Sequence, residues 1–391
     1  MTTQTLRVGY LPLIDAAPVI VAQEIGFAAE EGLALNLTRL QSWAQARDHL
    51  GSGAIDAGHM LVPMPVAQAI GIGPALPPFD LLMFLSQGGQ AVAVSAALAL
   101  ALRASGHDFG LGDPVAAGAA LHAATGGVLR VGVPFLFSTH AELIWHWLGA
   151  CGFGPGLSVH TVPPPMMAEA LASGEVDAFC VGEPWASFAV EAGIGALLLP
   201  GSAIWASAPE KGLVVRRTFA EDHADTTGRL MRAVWRAGRW LDQPGNRGTA
   251  AEILSRTEYL NLPSELCERG LTGRLLVSPE GGFREVRNFV GFHEGAAGFP
   301  WKSLAALFAD RIAARHGLDR NRAMAAAMDV FRTDLCRLHL RQAGADLPGA
   351  SARIEGAMHH PHAVASENGQ MILRPDAFFD GRTFEPPFAA R

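Results

Sequence analysis

The chain has 391 residues, 49% of them hydrophobic and 17% charged, which supplies ample buried core but is too long for one ordinary core. Lys+Arg number 30 against 37 for Asp+Glu, a formal net charge of −7, and no basic run is long enough to follow a phosphate backbone, which argues against direct nucleic-acid binding. The longest apolar stretch, Ala91 to Leu102, is alanine-rich and too short to span a bilayer.

From residue 5 strand-like runs alternate with helical patterns: strand Leu6–Tyr10, a helix from about Ala17 to Glu31, strand Leu33–Leu37, a helix from about Ala44 to Gly51 and strand Ile55–His59. A helix from about Pro65 and a strand Leu81–Ser86 follow. A second series runs through strand Val131–Pro134, helix Ala141–Ala150, strand Leu157–Val162, helix Met166–Ser173, strand Val176–Val181, helix Trp185–Ala192 and strand Gly195–Leu199. This alternation predicts parallel sheets covered by helices, built twice. Beyond residue 215 the pattern is mostly helical, with helices expected at Thr226–Gln243, Arg247–Thr257, Pro263–Leu271, Lys302–His316 and Arg322–Ala343.

Two glycine-flanked extended passages, Gln87–Ser95 and Lys211–Arg216, are the expected hinge crossings between lobes. The predicted architecture is a two-lobed α/β fold: residues 1–89 begin lobe I, 90–213 form lobe II, 214–345 complete lobe I as a helical part, and 346–391 are a C-terminal arm. Met1 to Thr5 run into the first strand with no basic, apolar and small-residue series of an export signal, so a cytoplasmic protein is expected. The cysteines, Cys151, Cys180, Cys267 and Cys336, lack CxxC spacing, which suits a reducing compartment and argues against a thiolate metal site.

Short polar islands interrupt the apolar sequence where strands give way to loops, the place where α/β folds collect ligand-binding groups. Trp43, beside Ser42, is either a packing aromatic or an indole donor on a cleft floor. Gln90, after Gly88 and Gly89, is either a hinge residue satisfied by local backbone or a two-donor amide facing a ligand. Ser138-Thr139-His140 opens a helix whose first-turn N–H groups suit an anion, with an ordinary capped helix as the alternative. Gly182-Glu183-Pro184-Trp185 combines a close-approach glycine with a helix start, Glu183 being placed to cap that helix or meet a basic group. Lys211 is the cation among the islands, a compensating charge if buried and a solvated lysine if not. No Walker, zincin or nucleophile-elbow motif occurs, and the tract His359-His360-Pro361-His362 lacks the spacing of a closed metal site.

Gly9–Leu13 with Asp15–Pro18, Met60–Pro65, Val162–Met166, Phe179–Trp185 and Pro209–Lys211 together resemble the nitrate-binding family of periplasmic-type solute receptors. That family includes bicarbonate receptors and cytoplasmic NasS-type nitrate/nitrite sensors. The resemblance implies a type II periplasmic-binding-protein-like fold and an anion pocket at Trp43, Gln90, His140, Gly182 and Lys211, supported by Ser42, Thr139, Glu183 and Trp185. With no leader in view it implies a sensor that binds nitrate or nitrite and releases a NasT-like RNA-binding antiterminator protein. It implies a binding protein rather than an enzyme, with no cofactor; Lys211 stands where bicarbonate relatives are understood to carry an acidic residue and calcium, so no metal is expected. The alternatives are the substrate-binding component of an ABC-type anion transporter and, further off, a pyrimidine or thiamine-precursor synthesis enzyme on the same fold.

Overall fold

The computed structural model describes residues 3–369 and 371–387. Strand β1 (Gln4–Tyr10) is followed by helices α1 (Ala17–Glu24) and α2 (Phe27–Glu30), strand β2 (Leu33–Arg39), helix α3 (Trp43–Ser52), strand β3 (Ala57–Leu61), helix α4 (Pro63–Ala69) and strand β4 (Phe79–Gly88). The single helix expected over residues 17–31 is broken because Gly26 takes a positive φ of 93°, which turns the chain between α1 and α2. The second sheet's elements begin with strand β5 (Gln90–Ser95) and helices α5 (Ala96–Ala104) and α6 (Pro114–Thr125), so the alanine-rich stretch after residue 95 is a helical pair. They continue with β6 (Leu129–Val133), α7 (Thr139–Ala150), β7 (Leu157–Thr161), α8 (Met167–Ala172), β8 (Ala178–Gly182), α9 (Trp185–Glu191), β9 (Gly195–Pro200) and α10 (Gly201–Ile204).

Strand β10 (Pro209–Arg216) leads into α11 (Arg217–Asp222), α12 (Ala224–Leu241), α13 (Arg247–Ser255) and α14 (Ser264–Thr272). A hairpin that the sequence pattern did not predict, β11 (Arg274–Ser278) and β12 (Gly281–Glu285), and a short β13 (Val290–Gly291) precede α15 (Lys302–His316), α16 (Arg320–Met328) and α17 (Thr333–Leu340). The helix expected over Arg322–Ala343 is interrupted because residues 330–332 are drawn out to pair with β4. Leu81 N–H donates to Val330 O at 2.9 Å, and Arg332 N–H donates to Leu81 O at 2.9 Å.

The six-stranded sheet runs β13-β4-β10-β3-β1-β2 and the five-stranded sheet β7-β6-β8-β5-β9. The parallel strands are β3, β1 and β2 in the first sheet and β7, β6 and β8 in the second; an antiparallel strand is inserted beside each set, β10 between β3 and β4 and β5 between β8 and β9, and β13 pairs antiparallel with β4 at the first sheet's edge. This is the mixed α/β, two-lobed, periplasmic-binding-protein-like fold. The chain crosses between sheets at Gly88-Gly89, where φ values of 69° and 85° and a backbone approach to Phe289 demand glycine: a Cβ on Gly88 would lie 2.3 Å from Phe289 O. It returns between Pro200 and Pro209, because β10 pairs with β4 from Pro209 onward. Residues 209–213, Lys211 included, thus belong to the first sheet rather than to the second lobe as expected. The cause is hydrogen bonding: β10 makes its ladder with β3 and β4, and only its approach comes from the second sheet.

The arm beyond residue 346 has little regular structure but is docked rather than loose. Phe378 and Asp376 are buried, and the arm zips onto the passage into β10 through Phe379 N–H to Ile204 O (2.9 Å), Ala206 N–H to Ala377 O (3.1 Å) and Ser207 Oγ to Pro375 O (2.6 Å). His359, His360 and His362 are exposed. Gln370 and residues 388–391 of the predicted arm lie outside the described residues. Among the described residues no helix is long and apolar enough to cross a membrane.

Candidate functional site

The ends of β1, β3 and β8 and the starts of β5 and β10 meet between the two sheets, together with the first turn of α7. Antiparallel insertion explains why β5 and β10 present their beginnings where the parallel strands present their ends. Gln90 lies directly opposite Gly182 in the β5–β8 ladder. Lys211 pairs in register with Leu61 of β3 and Ser86 of β4.

Lys211 is 0% exposed, and its ammonium donates to Asp15 Oδ2 at 2.7 Å and also to Glu210 Oε1. Asp15, in a single 3₁₀ turn after β1, contacts His59 Nε2 through its other oxygen at 2.8 Å. His140 Nδ1 lies 3.2 Å from Glu210 Oε1. The indole of Trp43 completes the group, with its ring 5.6 Å from that of His59 and 5.2 Å from the Lys211 ammonium. All of these side chains are at most 1% exposed, so the cluster sits in a sealed, low-dielectric space where each charge acts strongly.

The protonation states follow from burial and neighbours. Burial alone would raise the Asp15 carboxyl, but Lys211 and His59 outweigh it and hold the group ionised, below the ordinary carboxylate range. Burial opposes charge on Lys211, yet Asp15 and Glu210 overcome it and raise its value. Burial and the nearby ammonium push His140 well down, so it is a neutral imidazole; burial lowers His59 as well. Glu210 is the exception among the acids: burial lifts it to about 7, against the pull of Lys211 and helped by the negative Asp15.

Several buried polar atoms here have no hydrogen-bond partner within the described protein: Trp43 Nε1, both amide atoms of Gln90, His140 Nε2 and Glu210 Oε2. Buried polar groups left unpaired cost about 1–3 kcal/mol each, so such a concentration marks a place built to meet a polar guest. Gly182 is held to glycine by its neighbours: a Cβ there would come within 2.9 Å of Leu13 Cδ2, 3.5 Å of Asp15 Oδ2 and 3.8 Å of His140 Nε2.

The structure brings together Trp43, Gln90, His140, Gly182 and Lys211. Their expected supports act differently. Ser42 and Ser138 are N-caps, accepting from Gln45 N–H at 3.2 Å and Ala141 N–H at 3.1 Å. Thr139 Oγ1 donates to Pro209 O at 2.5 Å and Trp185 Nε1 to Pro12 O at 2.8 Å, so both tie the second sheet's helices to the first sheet. Glu183 turns away from the cluster and caps α9, accepting from Ser187 N–H at 3.0 Å. Pro184 is the N-cap residue of α9. Sequence reasoning missed Asp15, His59 and the role of Glu210. The available signals were a lone histidine in the apolar strand Ala57–Leu61 and the acid Glu210 directly before the only lysine of the islands.

The sequence match to the NMT1-like family extends over residues 1–255, which includes every member of this cluster. The chain belongs to the NMT1-like family. Within this family setting, it is 29% identical to the bicarbonate-binding protein CmpA of Synechococcus elongatus, over 99% of this chain and 85% of that protein. It is 32% identical to the nitrate/nitrite binding protein NrtA of a Nostoc species, over 77% of this chain and 68% of the relative. Its structure resembles the crystal structure of the periplasmic nitrate-binding protein NrtA from Synechocystis with a TM-score of 0.82 and 27% identity, covering 98% of this chain and 96% of that one. Relatives named as a nitrate import ATP-binding protein and a bicarbonate transport ATP-binding protein match about two thirds of this chain as well. The buried cluster offers unpaired polar atoms around one ammonium.

Proposed function

We propose that this NMT1-like protein binds nitrate or nitrite between its two sheets and serves as the substrate-binding component of an ABC-type importer. The observation that carries the proposal is the sealed Lys211 ammonium accompanied by the unpartnered polar atoms Trp43 Nε1, Gln90 Nε2 and His140 Nε2. A small planar monoanion suits that set, because it needs one nearby positive charge and several in-plane donors and requires no metal. The names of the relatives above, nitrate/nitrite binding and bicarbonate-binding, support an oxyanion of this size.

Because the donors come from both sheets, the anion binds the closed arrangement better than an open one and thereby drives closure. The same closure would serve a cytoplasmic sensor that releases a NasT-like antiterminator protein, and the relatives favour import over that use. Calorimetric titration with nitrate, nitrite, bicarbonate and an alkanesulfonate tests the ligand. Saturable binding of nitrate or nitrite is expected, and binding of the sulfonate with neither nitrogen oxyanion would refute it. Titration of a NasT-like protein with and without nitrate separates the two uses: no complex under either condition is the importer outcome.

A further inference from the structure

Glu210 is an acid where an anion receptor has no evident use for one. Its carboxylate is 0% exposed; Oε1 meets the Lys211 ammonium and His140 Nδ1, while Oε2 has no partner. The groups facing it are Lys211 on its own strand, Asp15 from the turn after β1 with His59 of β3 behind it, His140 from α7 and the Cys180 thiol of β8. Cys180 stays a neutral thiol, since burial and Glu210 both raise it, and the two histidines are neutral. The ionised members are therefore Asp15, Lys211 and, when deprotonated, Glu210. With Glu210 ionised the cluster carries one net negative charge before any anion arrives; with Glu210 neutral it carries none.

An anion entering the first arrangement would place two net negative charges in a sealed space, whereas entering the second it places one. A neutral Glu210 also converts its unpartnered Oε2 from a repelling acceptor into an O–H donor, matching the other unpaired donors around it. We propose that Glu210 enters the closed complex as the neutral acid, so that each oxyanion is bound together with one proton drawn from solvent. The proposal rests on the nitrate-binding function above and adds to it a proton-carrying residue and a pH dependence. Burial supports it by lifting the carboxyl to about 7, which makes the proton available near neutrality.

The sign follows directly. Below about 7 the closed, unliganded arrangement already holds the proton and binds at full affinity; above it the proton must be taken up and affinity falls up to tenfold per pH unit. Between pH 6 and pH 8 the expected loss of nitrate affinity is about tenfold, with about 0.9 proton taken up per nitrate at pH 8 and about 0.1 at pH 6. Calorimetric titration of the wild-type protein with sodium nitrate, in buffers of different ionisation enthalpy, measures that proton number without any substitution.

Glu210→Gln supplies the second arm, because the amide is permanently neutral and keeps a donor. It is expected to bind nitrate with no proton uptake and a flat profile from pH 6 to pH 8. Nitrate binding by wild type with no uptake at pH 8 overturns the proposal while leaving the function intact. Uptake that persists in Glu210→Gln overturns it by assigning the proton to another group, His140 first. Absence of both nitrate and nitrite binding by wild type at pH 6 overturns the proposed function and this inference with it.

Discussion

Replacing Lys211 with methionine removes the one ammonium of the cluster while keeping much of its apolar volume. At 2.7 Å from Asp15 the attraction is about 6 kcal/mol at an effective dielectric near 20, partly cancelled by the desolvation of both groups. Removing one partner of a buried pair strands the other, and costs about 3–5 kcal/mol. Lys211→Met is therefore expected to lose about that much stability in urea unfolding and to lose measurable nitrate binding. Asp15→Asn in the same chain removes the stranded charge, so the double variant should recover about 1–3 kcal/mol relative to the sum of the single effects. It should nevertheless remain unable to bind nitrate, because it has no cation. Additive stability effects would refute the buried pair, and near-wild-type nitrate affinity in the double variant would refute the role given to the ammonium.

Trp43→Phe keeps the ring packing and deletes the indole donor; nitrate affinity should fall about 10–100-fold, the worth of a hydrogen bond to a charged group, with stability changed by less than about 1 kcal/mol. Gly182→Ala pushes a methyl against Leu13 and toward Asp15 and His140, and titration should show nitrate binding weakened at least about tenfold while the sheets stay folded. Glu183 is held up at about 7 by burial, above its ordinary 4.5, so folding penalises its ionisation: stability from this group is full below 4.5 and is lost as pH rises toward 7. Glu183→Gln, which retains an acceptor for Ser187 N–H, should therefore be more stable than wild type at pH 8 by about 3 kcal/mol, with the difference vanishing near pH 4 in urea titrations.

The alternation of apolar strands and amphipathic helices was legible because each strand is bounded by its own turn residues, and helix α15 matches its expected bounds Lys302–His316. What failed was decided at a distance. The break between α16 and α17 exists because residues 330–332 pair with β4, nearly 250 positions earlier in the chain, and no local pattern reports that. The hairpin Arg274–Glu285 passed unnoticed because its second strand, Gly281–Glu285, is exposed and lacks apolar alternation.

The site divides in the same way. Trp43, His140 and Gly182 sit at strand ends and helix starts, where position alone suggests a ligand. Asp15 and His59 act through each other and through Lys211, and those contacts appear only once β1, β3 and β10 lie side by side. Glu210 was in view beside Lys211, but its importance comes from burial and from Asp15 across the cluster, neither of which is written in the sequence around it.

A crystal structure of the protein grown with sodium nitrate tests the central claim most directly. The account predicts one planar anion between the sheets, within hydrogen-bond reach of Trp43 Nε1, Gln90 Nε2, His140 Nε2 and the Lys211 ammonium. Nitrate bound elsewhere, with this cluster unchanged and dry, would contradict it.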